Sequence, residues 1–126
     1  MTNNQLFDEY KRVAKAIGHL LSPFVETVVH DFSTPKKSII AIYNGHISGR
    51  KLGGRFTEFG YKKAINPLID DHTPYESSSD SGQKLKSVTI PIRDKKNKTI
   101  GSFSVNMNID YFESLRGFIN QIISIS

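Results

Sequence analysis

Cysteine is absent from the 126 residues, which removes disulfides, thiolate nucleophiles and cysteine-based zinc sites together. Long apolar runs are absent too, and none approaches the ~20 residues that a membrane-spanning helix requires. The N-terminal MTNNQLFDEYKRVAKAIGHLL lacks the basic start and continuous apolar centre of a secretory signal and alternates polar with apolar groups instead. A cytoplasmic location without membrane association is expected. The catalytic signatures are also missing. Gly45-His46-Ile47-Ser48-Gly49 is not a G-x-S-x-G nucleophile elbow, and no spacing supplies Ser48 with a general base. Gly53-Gly54-Arg55 lacks the Lys-Ser or Lys-Thr of a phosphate-binding loop. The chain therefore reads as a non-enzyme with no catalytic residue. For metal, Asp70-Asp71-His72 reads as an exposed acidic turn rather than a ligand set, so no metal site is expected.

What is present is ordinary for a globular domain, with 37% hydrophobic and 23% charged residues. The length suits one domain with one core. The formal charge of +5 raises the question of nucleic acid, which the placement of the charges answers. Arg93, Lys95, Lys96 and Lys98 crowd one turn with Asp94 and Asn97, and no aromatic residue lies between Tyr75 and Phe103. A base-stacking groove interleaves rings with cations, so these lysines read as a solvated turn.

Along the chain, Leu6, Phe7, Tyr10, Val13, Ala14, Ile17, Leu20 and Leu21 keep the i, i+3, i+4, i+7 spacing of one helical face. Ser22-Pro23 ends this helix. Two readings of its apolar face stand side by side: packing on its own sheet, and a dimer contact through Leu6, Phe7, Tyr10 and Val13. A first strand over 25–32 places Val28, His30 and Phe32 on one face and Val25, Thr27, Val29 and Asp31 on the other. Apolar groups on both faces mark it as central, and Ser38 to Tyr43 forms its partner after the STPKK turn. Two short helical pieces are expected around Phe59 to Ile69, divided by Pro67. A serine-rich loop over 73–83 follows, with an edge strand near Tyr75. Leu85 to Arg93 and Thr99 to Ile109 alternate as a hairpin, in which Pro91 implies that one neighbouring strand is missing or short. Asp110 with Glu113 forms a capping box for a last helix that carries Phe112, Leu115, Phe118, Ile119, Ile122 and Ile123 on one face. The order predicts an α+β fold: about five antiparallel strands, helices on one face, and a helix at each end.

Candidate binding groups cluster just beyond the second strand. Asn44, His46, Ser48 and Arg50 lie in NGHISGR, where glycines permit close backbone approach and the guanidinium fork suits a carboxylate or phosphate. Arg50 either recognises an anion or makes an internal ion pair, with Glu26 as one partner. His30 is either a hydrogen-bonded buried histidine or a ligand contact. Asp31, on the opposite face, reads as a turn acceptor. Lys86 and Ser87, at the start of the hairpin, join the candidates.

The run VETVVHDFSTPKKSIIAIYNGHISGRKLGGRFTEFG, with the later LKSVTIPIRDKKNKTIGSFSVNMNID, resembles the YheO-like PAS domains of bacterial transcriptional regulators. The shared pattern comprises Glu26, His30-Asp31, Ser38-Ile39, Asn44 to Arg50, Gly53, Thr57, Lys86-Ser87 and Gly101. This resemblance implies a PAS-like fold across residues 1–126, acting as the N-terminal sensory part of a regulator whose helix-turn-helix binds DNA. One helix follows Asp110, so no helix-turn-helix pair is expected here, and DNA is contacted only through a separate segment. The expected function is a ligand-sensing, dimerising regulatory domain. A small polar or anionic effector would sit between the sheet and the segment from Gly45 to Thr57. The alternative is a constitutive interaction domain without ligand. A homodimer is the expected partner, and no residue specifies a cofactor.

Overall fold

The computed structural model describes residues 1–66 and 73–125. The first amphipathic stretch forms α1 (Asn3–Leu20). A capping box starts it, with the Thr2 hydroxyl accepting from the Gln5 N–H and the Gln5 side chain accepting from the Thr2 N–H. Five strands follow: β1 (Val25–Asp31), β2 (Ile39–Tyr43), β3 (Tyr75–Ser78), β4 (Lys84–Arg93) and β5 (Thr99–Asn108). They form one antiparallel sheet in the order β2-β1-β5-β4-β3. The expected α+β architecture is the observed one.

Pro91 shows how sequence sets the sheet's edge. It sits opposite Ser102 of β5, and β3 on the other side of β4 pairs only as far as Ser87. Among the described residues, a residue without an N–H is thus placed beyond the last pair that β4 makes with β3.

Period-two alternation divides the sheet into two faces of different character. On one, Val29 lies opposite Phe103 and next to Ala41, and α1 covers them with Phe7 and Ala14. Ile92 completes this core, and Leu6, Tyr10 and Ile17 pack at its margin. The helix comes very close: a Cβ at Gly18 would stand 2.5 Å from the Cβ of Tyr43. Thr27 seals the contact by donating to the Ala14 carbonyl over 2.7 Å.

The other face carries Glu26, Val28 and His30 of β1 beside Asn106, Ser104 and Ser102 of β5. It is covered by the segment after β2 and by α2 (Glu58–Ile65), which Thr57 caps by accepting from the Gly60 N–H. The terminal helix α1 thus lies against one face of the sheet and α2 against the other. The second expected helical piece, with Leu68 and Ile69, lies outside the described residues, as does Asp70-Asp71-His72.

The final helix, α3 (Ile109–Ile123), begins earlier than the Asp110 cap implied. Asn108 is the cap, accepting from the Tyr111 N–H at 2.9 Å. The Asp110 carboxylate instead accepts from the Lys84 N–H, and Glu113 pairs with Arg116. None of the residues of α3 is buried. Its base rests on Phe24, whose ring lies 5.3 Å from that of Tyr111.

Candidate functional site

A carboxylate lies at the floor of the second face. Glu26 is wholly buried, and it is held by uncharged donors. One oxygen accepts from the Ser48 hydroxyl at 2.6 Å and the Ser48 N–H at 3.1 Å, and the other accepts from the Asn106 amide at 2.7 Å. Burial raises its pKa above the ordinary 4.5, and the bonds from Ser48 and Asn106 and the field of Arg50 offset this only in part. Beside it runs a chain of hydroxyls. Tyr75 Oη meets Thr89 Oγ1 at 2.5 Å, Thr89 Oγ1 meets Ser104 Oγ at 2.9 Å, and Ser77 Oγ meets Ser87 Oγ at 2.8 Å.

These groups border a cavity of about 80 Å3 lined by Glu26, Ser48, Arg50, Phe59, Ser77 and Asn106, among others. An outer cleft of about 340 Å3 adjoins it and shares Thr57, Phe59, Ser77 and Ser78, with Glu76 added at the rim. Lys63 stands over both rings of the wall, 5.4 Å from the centre of Phe59 and 5.0 Å from that of Tyr75.

The lid of the cavity is the turn after β2. It is closed by bonds from the Ile47 N–H to the Asn44 carbonyl and from the Gly49 N–H to the Gly45 carbonyl. Gly49 has a φ of +85°, which a side chain would resist, and this reverses the chain between Ser48 and Arg50. Arg50 reaches away from Glu26. Its Nη2 pairs with Asp80 at 3.1 Å, and its Nη1 donates to the Arg55 carbonyl at 2.9 Å. The Asp80 N–H in turn donates to the Ser48 carbonyl. One ion pair thus joins the lid to the β3–β4 turn.

A family model for the YheO-like PAS domain matches residues 1–124. The chain belongs to that family. YheO of Escherichia coli strain K12 is 31% identical over 117 residues, which cover 86% of this chain and 47% of YheO. A Haemophilus influenzae protein is 30% identical, covering 83% of this chain and 48% of its own length. The Pseudomonas aeruginosa transcriptional regulator DauR is 26% identical, with 93% of this chain and 54% of DauR covered. The chain spans about half the length of the curated relatives it matches. Among solved structures, a PAS domain from Colwellia psychrerythraea superposes with a TM-score of 0.52 at 18% identity, covering 78% of this chain and 94% of that one. A light-oxygen-voltage protein of Rhodobacter sphaeroides gives 0.52 at 10% identity, over 84% and 68%. These likenesses establish the PAS fold.

Within this PAS domain the candidate residues part company. Ser48 and Arg50 line the cavity, and Ser87 is buried just behind Ser77. His30 shares the cavity's face of the sheet but sits among Phe32 and Phe56, with Nδ1 2.8 Å from the Ser38 hydroxyl. Burial, and secondarily the field of Arg50, lower its pKa to about 4. Asn44 and His46 turn away to secure the α1–β1 connection. The Asn44 amide donates to the carbonyls of Gly18 and Val25, and His46 Nε2 lies 2.9 Å from the Pro23 carbonyl. Lys86 is exposed, one step along β4 from Ser87 and so on the other face. Of the helix residues considered for a dimer, Phe7 is buried in the chain's own core, Leu6 and Tyr10 pack against it, and Val13 is 47% exposed.

The residues that sequence reasoning passed over are Tyr75, Ser77, Ser104 and Asn106, with Glu26 considered only as a partner for Arg50. The signal was present in β5, where Ser102, Ser104 and Asn106 alternate with Phe103, Val105 and Met107. On a strand next to a β1 that is apolar on both faces, such a polar stripe lies under cover rather than in solvent.

Proposed function

We propose that this PAS domain is a ligand-sensing, dimerising module of a transcriptional regulator. It holds a small polar molecule between the sheet and the Gly45–Thr57 segment. The observation that carries this reading is the cavity itself: a buried carboxylate and a row of hydroxyls stand on one face of the sheet, under a lid whose Arg50 pairs with Asp80. A sealed scaffold has no use for a polar interior, which costs more to desolvate than apolar packing of equal volume. The lid bears the Arg50–Asp80 pair and α2 bears Phe59, so a bound molecule touches both covering segments as well as the sheet. It biases the domain by its differential affinity for the two arrangements.

Dimerisation draws support from α3. Phe112, Leu115, Ile119 and Ile122 recur at the three- and four-residue steps of a coiled-coil seam. All four are exposed, Ile122 by 68%. Among the described residues no two α-helices are consecutive in the chain, so DNA contact is assigned to none of them.

Native mass spectrometry tests both parts in one measurement. The expected spectrum shows a dimer with a mass excess over the denatured chain, and the excess is lost when Ser104→Leu fills the cavity. A protein that carries no mass excess, and whose melting is unchanged by a metabolite panel, would refute the sensing role. A monomer at micromolar concentration would refute the dimer.

A further inference from the structure

The cavity constrains its occupant by charge. Glu26 is wholly buried, and among the described residues it forms no ion pair. Arg50, the cation whose field reaches it, is committed to Asp80 and to the Arg55 carbonyl. The three donors that Glu26 does have are neutral. A carboxylate taken out of water without a cation leaves an electrostatic deficit, which a positive group of matching size removes.

The surroundings suit such a group. Asn106 spends its amide N–H on Glu26 and retains its carbonyl oxygen, and the hydroxyls of Ser77 and Ser104 rotate to accept as readily as to donate. A cavity of about 80 Å3 admits only about two or three water-sized groups, at ~30 Å3 each. A primary ammonium on a short stem fits that space, whereas a bulky substituted amine does not. An anion at the same floor would face Glu26 directly.

We infer that the cavity takes a small molecule presenting a protonated primary amine to Glu26, with its remaining atoms directed past Ser77 and Phe59 into the outer cleft. This rests on the sensor reading and specifies the chemistry of its ligand.

Calorimetric titration and thermal melting at matched ionic strength test it with four probes of similar size: ethylammonium, ethanolamine, ethylene glycol and acetate. The two amines are expected to bind and to raise the melting temperature, and the two others are not. Glu26→Gln, which keeps the side-chain shape, is expected to melt cooperatively yet bind the amines at least tenfold more weakly. Three results overturn the inference: no amine binding, amine binding unaffected in Glu26→Gln, or ethylene glycol or acetate bound as tightly as the amines. If such binding still disappears in Ser104→Leu, the site is a sensor pocket for another chemistry. A wild-type protein that binds no probe and also carries no co-purified molecule overturns both readings.

Discussion

The half-buried His30 makes stability depend on pH in a calculable way. His30 keeps a pKa of about 4 in the fold against 6.5 when exposed, because burial, and to a lesser degree Arg50, disfavour its charged form. Between those values the unfolded chain binds a proton that the folded chain refuses. Stability contributed by neutral His30 is therefore fully present above about 6.5 and is lost as pH falls toward 4. At about 1.4 kcal/mol per pH unit, the window amounts to about 3 kcal/mol. With a urea dependence of ~1.5 kcal/mol per molar, the unfolding midpoint falls by roughly 2 M between pH 7 and pH 4. Glu26 acts in the opposite sense. Its pKa is raised from 4.5, so its contribution is present below that value and lost as pH rises through the folded value. Urea melts of the wild type and of His30→Asn, taken across pH 4 to 7, separate the two, since Glu26 titrates in both proteins and cancels in the difference. Asn places a polar atom where Nδ1 meets Ser38 and cannot protonate. The wild type is expected to converge on or fall below the variant as pH drops, with the gap changing by about 3 kcal/mol. Parallel curves would show that His30 is charged in the fold, or is not buried as described, and the reasoning would fail.

Two further outcomes follow from close packing and from the lid. Gly101→Ala places a methyl group against the His30 carbonyl and 2.7 Å from the Phe7 ring; overpacking of this kind costs roughly 1–3 kcal/mol, visible as a lower urea midpoint, and an unchanged midpoint would mean that α1 gives way at no cost. Arg50→Ala removes a pair whose side chains are 26% and 56% exposed, a loss of roughly 0.2–1 kcal/mol. Calorimetric melting is expected to move by only a few degrees while binding of the co-purified molecule weakens, and a collapse in melting with binding retained would make Arg50 purely structural.

The outline of the fold was legible because alternation and helical spacing are local. The face of α1 that carries Phe7, Tyr10 and Ala14, and the hairpin that carries Ile90, Ile92 and Phe103, declare themselves within a few residues of chain. Pro91 likewise announced a short neighbour, since a missing N–H is a property of one residue. Boundaries set by competition between nearby caps were less legible. Asn108 and Asp110 are both good caps, and the Lys84 N–H drew Asp110 away from the role.

The site was legible only in part, and for a physical reason. A period of two states which residues share a face of a sheet, but not what lies over that face. The sequence by itself determined that Glu26 stands among apolar neighbours, that β5 carries a polar stripe, and that a glycine-rich turn with Ser48 and Arg50 follows β2. Only the tertiary structure decided that the turn folds back so that Ser48 meets Glu26, 22 residues earlier. It also settled that Arg50 pairs with Asp80, 30 residues on, rather than with Glu26, and that Asn44 and His46 of the same turn serve the end of α1. Partner choice among charges depends on the path of the covering loop through space. That path is fixed by packing against the whole sheet, which no stretch of sequence contains.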